Sequence, residues 1–454
     1  MSLEQDTRDD EEVDPFDAFR QFLALERDVL VLSAAMFAFS LGFQMTNRYI
    51  PEYMAALGAS AFVIGMFGTA GNVIGAIYPY PGGRLSDRIG SRIALTLFGL
   101  CSTLGFAVWL VAPNLGTIEV GGVVLEPWIW IFVGLFFAQA WKSFGLGATF
   151  AVVKQSVPPH QLARGFASTE VFRRSAFLIG PLIAAGVLYA FTDFAVGFQY
   201  VLAIGLSFGV VATAAQHVLY DASEDTLGKK FEGVGEVVGD LRNLPPELRP
   251  LLVGDTLVRF ANGMVYVFFV IVITQFLEVS LDVGPITLAP AVFFGVLLAV
   301  EMLVALVSMP PAARIAERVG LKPVVALGFF VYAVFPVLLI SVPADTALTA
   351  PLVIALFAFS GLRFAGLPAH KALIVGPAER DTGGRVSGSY YLVRNTVVIP
   401  SAALGGLIYG GFFLPGAGVA YAGSPTVAFG LASVIGTVGV GYFLLYGEEY
   451  DAYA

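Results

Sequence analysis

The chain has 454 residues, 57% of them hydrophobic and 13% charged, with a mean hydropathy of +0.80. Soluble domains carry roughly 25% charged residues, so this composition excludes one and points to a membrane protein. The formal net charge of −9 offers no basic footprint for nucleic acid, and a single cysteine, Cys101, excludes an intrachain disulfide.

Taken in chain order, residues 1–28 ("MSLEQDTRDDEEVDPFDAFRQFLALERD") are acidic. They lack the basic start and apolar core of a cleavable signal peptide and are expected as a solvated tail. One helix needs about 20 mostly apolar residues to cross a bilayer core. Twelve such runs are predicted, near 29–53, 60–81, 92–112, 128–153, 165–190, 198–220, 251–277, 286–309, 323–342, 351–374, 386–412 and 425–446. They predict an all-α polytopic protein. Arg48, Lys142, Arg173, Arg174, Arg259, Arg363 and Arg394 fall inside these spans. Every other Lys and Arg lies in the N-terminal tail, in alternate connections or, for Arg92 and Lys371, at the span ends beside them, while 113–127, 191–197, 278–285, 343–350 and 413–424 contain none. The positive-inside rule makes the basic side cytoplasmic, with both termini inside a cell membrane. Acidic tails and an acidic 221–250 segment are what a salt-adapted prokaryotic host would produce.

Between the second and third spans stands "GGRLSDRIGSR", residues 82–92; between the eighth and ninth stands "AARIAERVGLK", residues 312–322. At an offset of 230 residues Arg84, Arg88 and Gly90 recur as Arg314, Arg318 and Gly320, while Asp87 becomes Glu317 and Arg92 becomes Lys322. At an offset of 221, Lys142 falls on Arg363, Arg173 on Arg394 and Gly42 on Gly263. The chain therefore divides into a six-helix bundle at 29–220, a polar loop at 221–250, a second six-helix bundle at 251–446 and a tail at 447–454.

The loop "GGRLSDRIGSR", its degenerate repeat and the six-plus-six layout over about residues 27–446 resemble the major facilitator superfamily. "IGPLIAAG", residues 179–186, resembles part of the Gly-Pro motif of the family's antiporters. The resemblance implies two pseudo-symmetric bundles and a secondary transporter working by alternating access, with the site between the halves. It also implies a gating role for Gly83, Arg84, Asp87, Arg88, Gly90, Arg92, Arg314, Glu317 and Arg318. Physically, a carboxylate in this loop meets a helix N-terminus or a neighbouring Arg only when that side is closed.

Ionisable groups at bilayer depth are costly unless paired or facing water, so each is a functional candidate. Asp255 and Arg259 are four residues apart and can neutralise each other; Glu170 can reach Arg173 or Arg174; Arg48 has Glu52 one turn beyond, as an external gate or a structural pair. Lys142, Arg363 and Arg394 are left with Glu301 as the obvious counter-charge. At 1.5 Å per residue Lys142 and Arg363 both fall near mid-membrane. The family resemblance places spans 1, 4, 7 and 10 around the cavity, so these two cations face each other across it and favour an anionic substrate. The alternative is that they serve backbone carbonyls or Glu301 structurally. Gln44, Asn47, Asn262, Tyr266, Tyr391 and Asn395 supply hydrogen bonds, and Trp141, Phe144 and Phe364 supply walls.

Proton coupling needs a group that changes charge near working pH. Glu301 is the first expectation and Glu170 the second; His160, His217 and His370 are placed in loops or near span ends and set aside. The chain has no HExxH, no phosphate loop, no GxSxG and no metal-ligand spacing, so no enzyme, metal or cofactor is expected. The expected partners are a small solute, protons or another coupling ion, and the bilayer, with the chain acting as a monomer. Proton-linked efflux of lipophilic compounds and a transporter-like sensor remain as other readings.

Overall fold

A computed structural model of the chain describes residues 27–78, 85, 88–141, 162–220, 245–375, 383–414 and 419–449. The first half holds α1 (Arg27–Thr46), α2 (Ile50–Ala56), α3 (Ala61–Ile77), α4 (Ser91–Leu115), α5 (Ile129–Ala140), α6 (Leu162–Tyr189) and α7 (Phe194–Leu219). The second holds α8 (Arg249–Val265), α9 (Pro290–Val319), α10 (Leu321–Ile340), α11 (Thr349–Gly361), α12 (Leu367–Val375), α13 (Gly383–Val398), α14 (Ser401–Gly410) and α15 (Pro425–Tyr446). Among the described residues eight helices are long and apolar enough to cross a membrane, and Ala61–Ile77, Ile129–Ala140 and Arg174–Tyr189 form shorter apolar ones. The molecule is a polytopic helical membrane protein, and many large apolar side chains, such as Val218, Val307 and Leu445, are exposed.

Local chemistry sets the helix boundaries. Ser60, Asp193 and Ser424 accept from the backbone N–H three residues on, and each opens a helix. The Asp193 cap starts α7 at Phe194, earlier than the expected 198. Gly90 and Gly320, paired by the sequence repeat, precede α4 and α10 with φ of 86° and 95°, a conformation open to glycine. Two expected spans have one end shifted because residues there pair as strands. Ile286–Leu288 joins Leu281–Val283, which delays α9 to Pro290, and Phe412–Leu414 joins Val419–Tyr421 beyond α14. A third hairpin pairs Ile118–Val120 with Val123–Leu125. All three hairpins lie in connections that lack Lys and Arg.

Three spans expected to be continuous are interrupted. The first breaks between Thr46 and Ile50, where the Thr46 hydroxyl donates to the Gly42 carbonyl and Pro51 begins the next helix. The seventh passes through a 3₁₀ turn at Tyr266–Phe268 and a π turn at Val272–Phe276. The tenth narrows to a 3₁₀ turn at Leu362–Phe364. Such interruptions tend to mark functional positions, and Arg48, Tyr266 and Arg363 sit in these three.

The halves meet near the hairpin face. Gly65 lies against the Ala402 carbonyl and Gly406, Ala61 lies against Gly410, and the Thr69 hydroxyl accepts from the Ala403 N–H at 3.0 Å. On the other seam Gly295 approaches Tyr49 and Pro181, and the Tyr49 hydroxyl donates to the Ala291 carbonyl at 3.0 Å. These glycines are needed because no Cβ fits where two helix backbones come this close.

Candidate functional site

Between the halves lies a cavity of about 550 Å³. From the first half it is lined by Gln44, Asn47, Arg48, Asn72 and Gln139, and from the second by Arg259, Asn262, Tyr266, Glu301, Tyr332, Arg363, Phe364, Arg394 and Asn395. Two carboxylates organise its charge. Glu301, on α9 and 2% exposed, receives Arg48 at 3.2 Å, Arg363 at 2.8 Å and the Ser360 hydroxyl at 2.5 Å. Asp255, on α8 and fully buried, receives Arg259 at 3.2 Å and Arg394 at 3.1 Å, with the Tyr390 hydroxyl donating at 3.2 Å.

Each set is an Arg–carboxylate–Arg triad with a net charge of plus one. Tyr332 links them: Arg259 donates to its hydroxyl at 2.8 Å, and the guanidiniums of Arg259 and Arg363 stand 4.7 Å and 5.0 Å from its ring. Arg48 stacks on Tyr266 at 4.1 Å, Arg363 on Phe364 at 4.8 Å and Arg394 on Tyr391 at 4.7 Å. Planar guanidiniums suit such stacking, which helps to hold their forks on Glu301 and Asp255. The Nε of Arg363 is buried without a partner among the described residues.

Several sequence expectations are corrected here. Arg48 does not pair with Glu52; it reaches across to Glu301, while Glu52 accepts from Thr274 at 2.6 Å and Gln275 at 3.0 Å. The helix break at residues 47–49 turns Arg48 out of the one-turn register with Glu52. Glu301 holds Arg363, as the structural alternative expected, whereas Arg394 is held by Asp255 and not by Glu301. Trp141 is no cavity wall: it stacks on Phe39 at 4.3 Å and points its indole N–H to Gln216. Tyr391 supports Arg394 from behind and does not line the cavity.

In the signature loops Arg92 donates to the His217 carbonyl at 2.7 Å, and Arg88, Arg314 and Arg318 are exposed. Lys142, Phe144, Gly83, Arg84 and Asp87 lie outside the described residues, as do the side chains of Glu170, Arg173 and Glu317. The sequence reading missed Asn72, Gln139, Tyr332 and the burial of His370. Tyr332 sits in an apolar run with no charged neighbour, so only its exposure to the cavity singles it out.

Residues 32–300 match the Major Facilitator Superfamily profile. An uncharacterized MFS-type transporter of Mycobacterium tuberculosis strain H37Rv is 28% identical over 194 residues, which are 42% of this chain and 42% of that protein. Among solved structures, the nucleoside transporter NupG superposes with a TM-score of 0.69 at 11% identity, covering 93% of this chain and 99% of that one. A peptide transporter, POT, in complex with sulfate superposes with a TM-score of 0.67 at 14% identity, covering 95% and 99%. At these identities the structural likeness is one of fold.

Proposed function

This chain belongs to the Major Facilitator Superfamily, and from that premise we propose that it is a secondary active transporter carrying a small anionic solute by alternating access. The observation that carries the reading is the pair of Arg–carboxylate–Arg triads, which leave the cavity with two more positive than negative charges among the described residues. Excess charge in a confined site is unfavourable when the site is empty and is offset by an anion. The amides of Gln44, Asn47, Asn262 and Asn395 add directional hydrogen bonds, and Lys142 is a further cation of the first half.

The bundles at 29–220 and 251–446 are the moving bodies, with the basic face cytoplasmic. Glu301 is the coupling carboxylate: protonated, it releases both Arg48 and Arg363 and so unlocks the hairpin-side closure, with Glu170 next in line. The signature loop gates the opposite side, so Asp87→Asn is expected to spare binding and cut transport.

Uptake of labelled phosphate, sulfate, lactate and citrate into proteoliposomes, with and without a pH gradient, tests this reading. Accumulation of one anion driven by the gradient is the expected result; transport of none refutes it. A second reading, efflux of lipophilic compounds, draws on the "IGPLIAAG" stretch, whose Gly180 packs against Gln44 beside the cavity. Extrusion of a lipophilic dye by the same vesicles would favour it.

A further inference from the structure

We propose that His370 is a proton-binding site, separate from Glu301, whose proton enters together with the anion; the inference rests on the anionic reading above. His370 lies in α12 and is 4% exposed. Its Nε2 is 3.3 Å from the same Asp255 oxygen that receives Arg394 and the Tyr390 hydroxyl, and Tyr390 itself is 3.5 Å away. The rings of Phe329 and Tyr390 enclose the imidazole at 5.6 Å and 6.1 Å.

Among the described residues, the charged and titratable groups around it are few. From α8 come Asp255 and Arg259, from α10 Tyr332, and from α13 Tyr390, Tyr391 and Arg394. α15 presents the uncharged Phe443, packed on Phe329, and α9 carries Arg314 and Arg318, both exposed. A neutral His370 donates its Nε2 hydrogen to Asp255 and leaves the Asp255 triad at plus one. A protonated His370 raises the cluster to plus two.

Arg259 and Arg394 are the members of this cluster that reach the cavity, with side-chain exposures of 23% and 16%. A monoanion seated against them returns the doubly positive cluster to plus one. Anion and proton therefore favour each other's binding, and the linkage is reciprocal. The proton sits behind Asp255, away from the anion, so both occupy the site at once. This is the arrangement a symporter requires, and it involves no contact with Glu301.

Calorimetry on the full-length protein in nanodiscs, in buffers of different ionisation heat, counts protons taken up per phosphate, sulfate, lactate or citrate bound, with melting recorded beside it. In H370Q and H370N the anion that the wild type binds should still bind, while uptake per anion falls by about one proton. E301Q should keep the share belonging to His370. Unchanged uptake in both His370 variants overturns the proposal. If the wild type binds none of the four anions, the anionic reading falls, and NMR of the three histidines then decides the proton site by itself. A His370 resonance that shows the ring gaining a proton in the folded protein upholds the site, and one that stays in a single protonation state overturns it.

Discussion

Arg48 and Glu301 form an ion pair at 3.2 Å although 253 positions separate them in the chain. The pair joins the interrupted first span to α9, and the same carboxylate holds Arg363 at 2.8 Å. One acid thus ties the closure of the hairpin side to a cation of the cavity. On the proposed reading, an anion that attracts Arg363 or Arg48 competes with Glu301, and the closure is expected to respond to occupancy.

Glu301→Gln should remove the part of proton-driven accumulation that depends on Glu301, leaving the share carried by His370, and should leave substrate exchange intact. It should also open the hairpin side, because removing one partner of a buried pair costs roughly 3–5 kcal/mol and about 1.4 kcal/mol is already tenfold in population. A cysteine placed at Val270, buried and on the cavity wall, in a Cys101→Ala background reports this through alkylation by an impermeant maleimide from the hairpin side. An alkylation rate equal to that of the parent would show that Glu301 does not hold this closure.

Arg363→Gln should weaken anion binding by roughly 30- to 1000-fold, the range for losing a buried charge-assisted contact. Arg363→Lys should also be damaging, because an ammonium cannot contact Glu301, stack on Tyr332 and Phe364 and still present a fork to the anion. Affinities measured in detergent, with melting temperatures alongside, separate binding from folding. Loss of stability with unchanged affinity would make Arg363 a structural partner of Glu301. Lys142→Gln should weaken the same anion.

Gly65→Val should hold the halves apart at the hairpin face, since a side chain there meets the Ala402 carbonyl and the Gly406 Cα. The expected outcome is a folded, membrane-inserted protein without net transport. Gly75→Val, on the same helix with open space around it, is the control and should transport normally. Equal activity of the two variants would contradict the packing account.

Asp255→Asn leaves Arg259 and Arg394 uncompensated at a fully buried position. The loss of stability should be roughly 3–5 kcal/mol. Arg394→Gln should cost less, because Arg259 still neutralises Asp255. Thermal melting of the purified variants checks the order, and the reverse order would place the weight of the cluster on Arg394.

Glu449→Ala should loosen the start of α10. Its carboxylate accepts from the Leu321 N–H at 2.7 Å and the Lys322 N–H at 2.9 Å, so it caps the helix just after Gly320. Removing such a cap costs about 0.5–2 kcal/mol. Faster amide exchange at residues 321–324 in the variant is the expected signature.

The sequence alone determined the spans, the duplication and the candidates at bilayer depth. Apolar runs bounded by charge locate helices because hydrocarbon tolerates no unpaired backbone. Gly90 and Gly320 recur because both halves need the same left-handed turn before a helix. Arg48, Arg259, Arg363 and Arg394 stood out because a buried cation is costly wherever it lies. Which acid holds which cation was decided by tertiary structure. Spacing within one helix pairs Arg259 with Asp255 correctly, yet the same rule pairs Arg48 with Glu52, which fails where the helix breaks. Spacing along the chain is blind to a partner 253 positions away and to a buried imidazole such as His370, set against Asp255 only once α8 and α12 pack together. Long-range ion pairs depend on distances that no local period encodes, and so the packing of the two bundles, not the pattern of either one, sets the charge of the cavity.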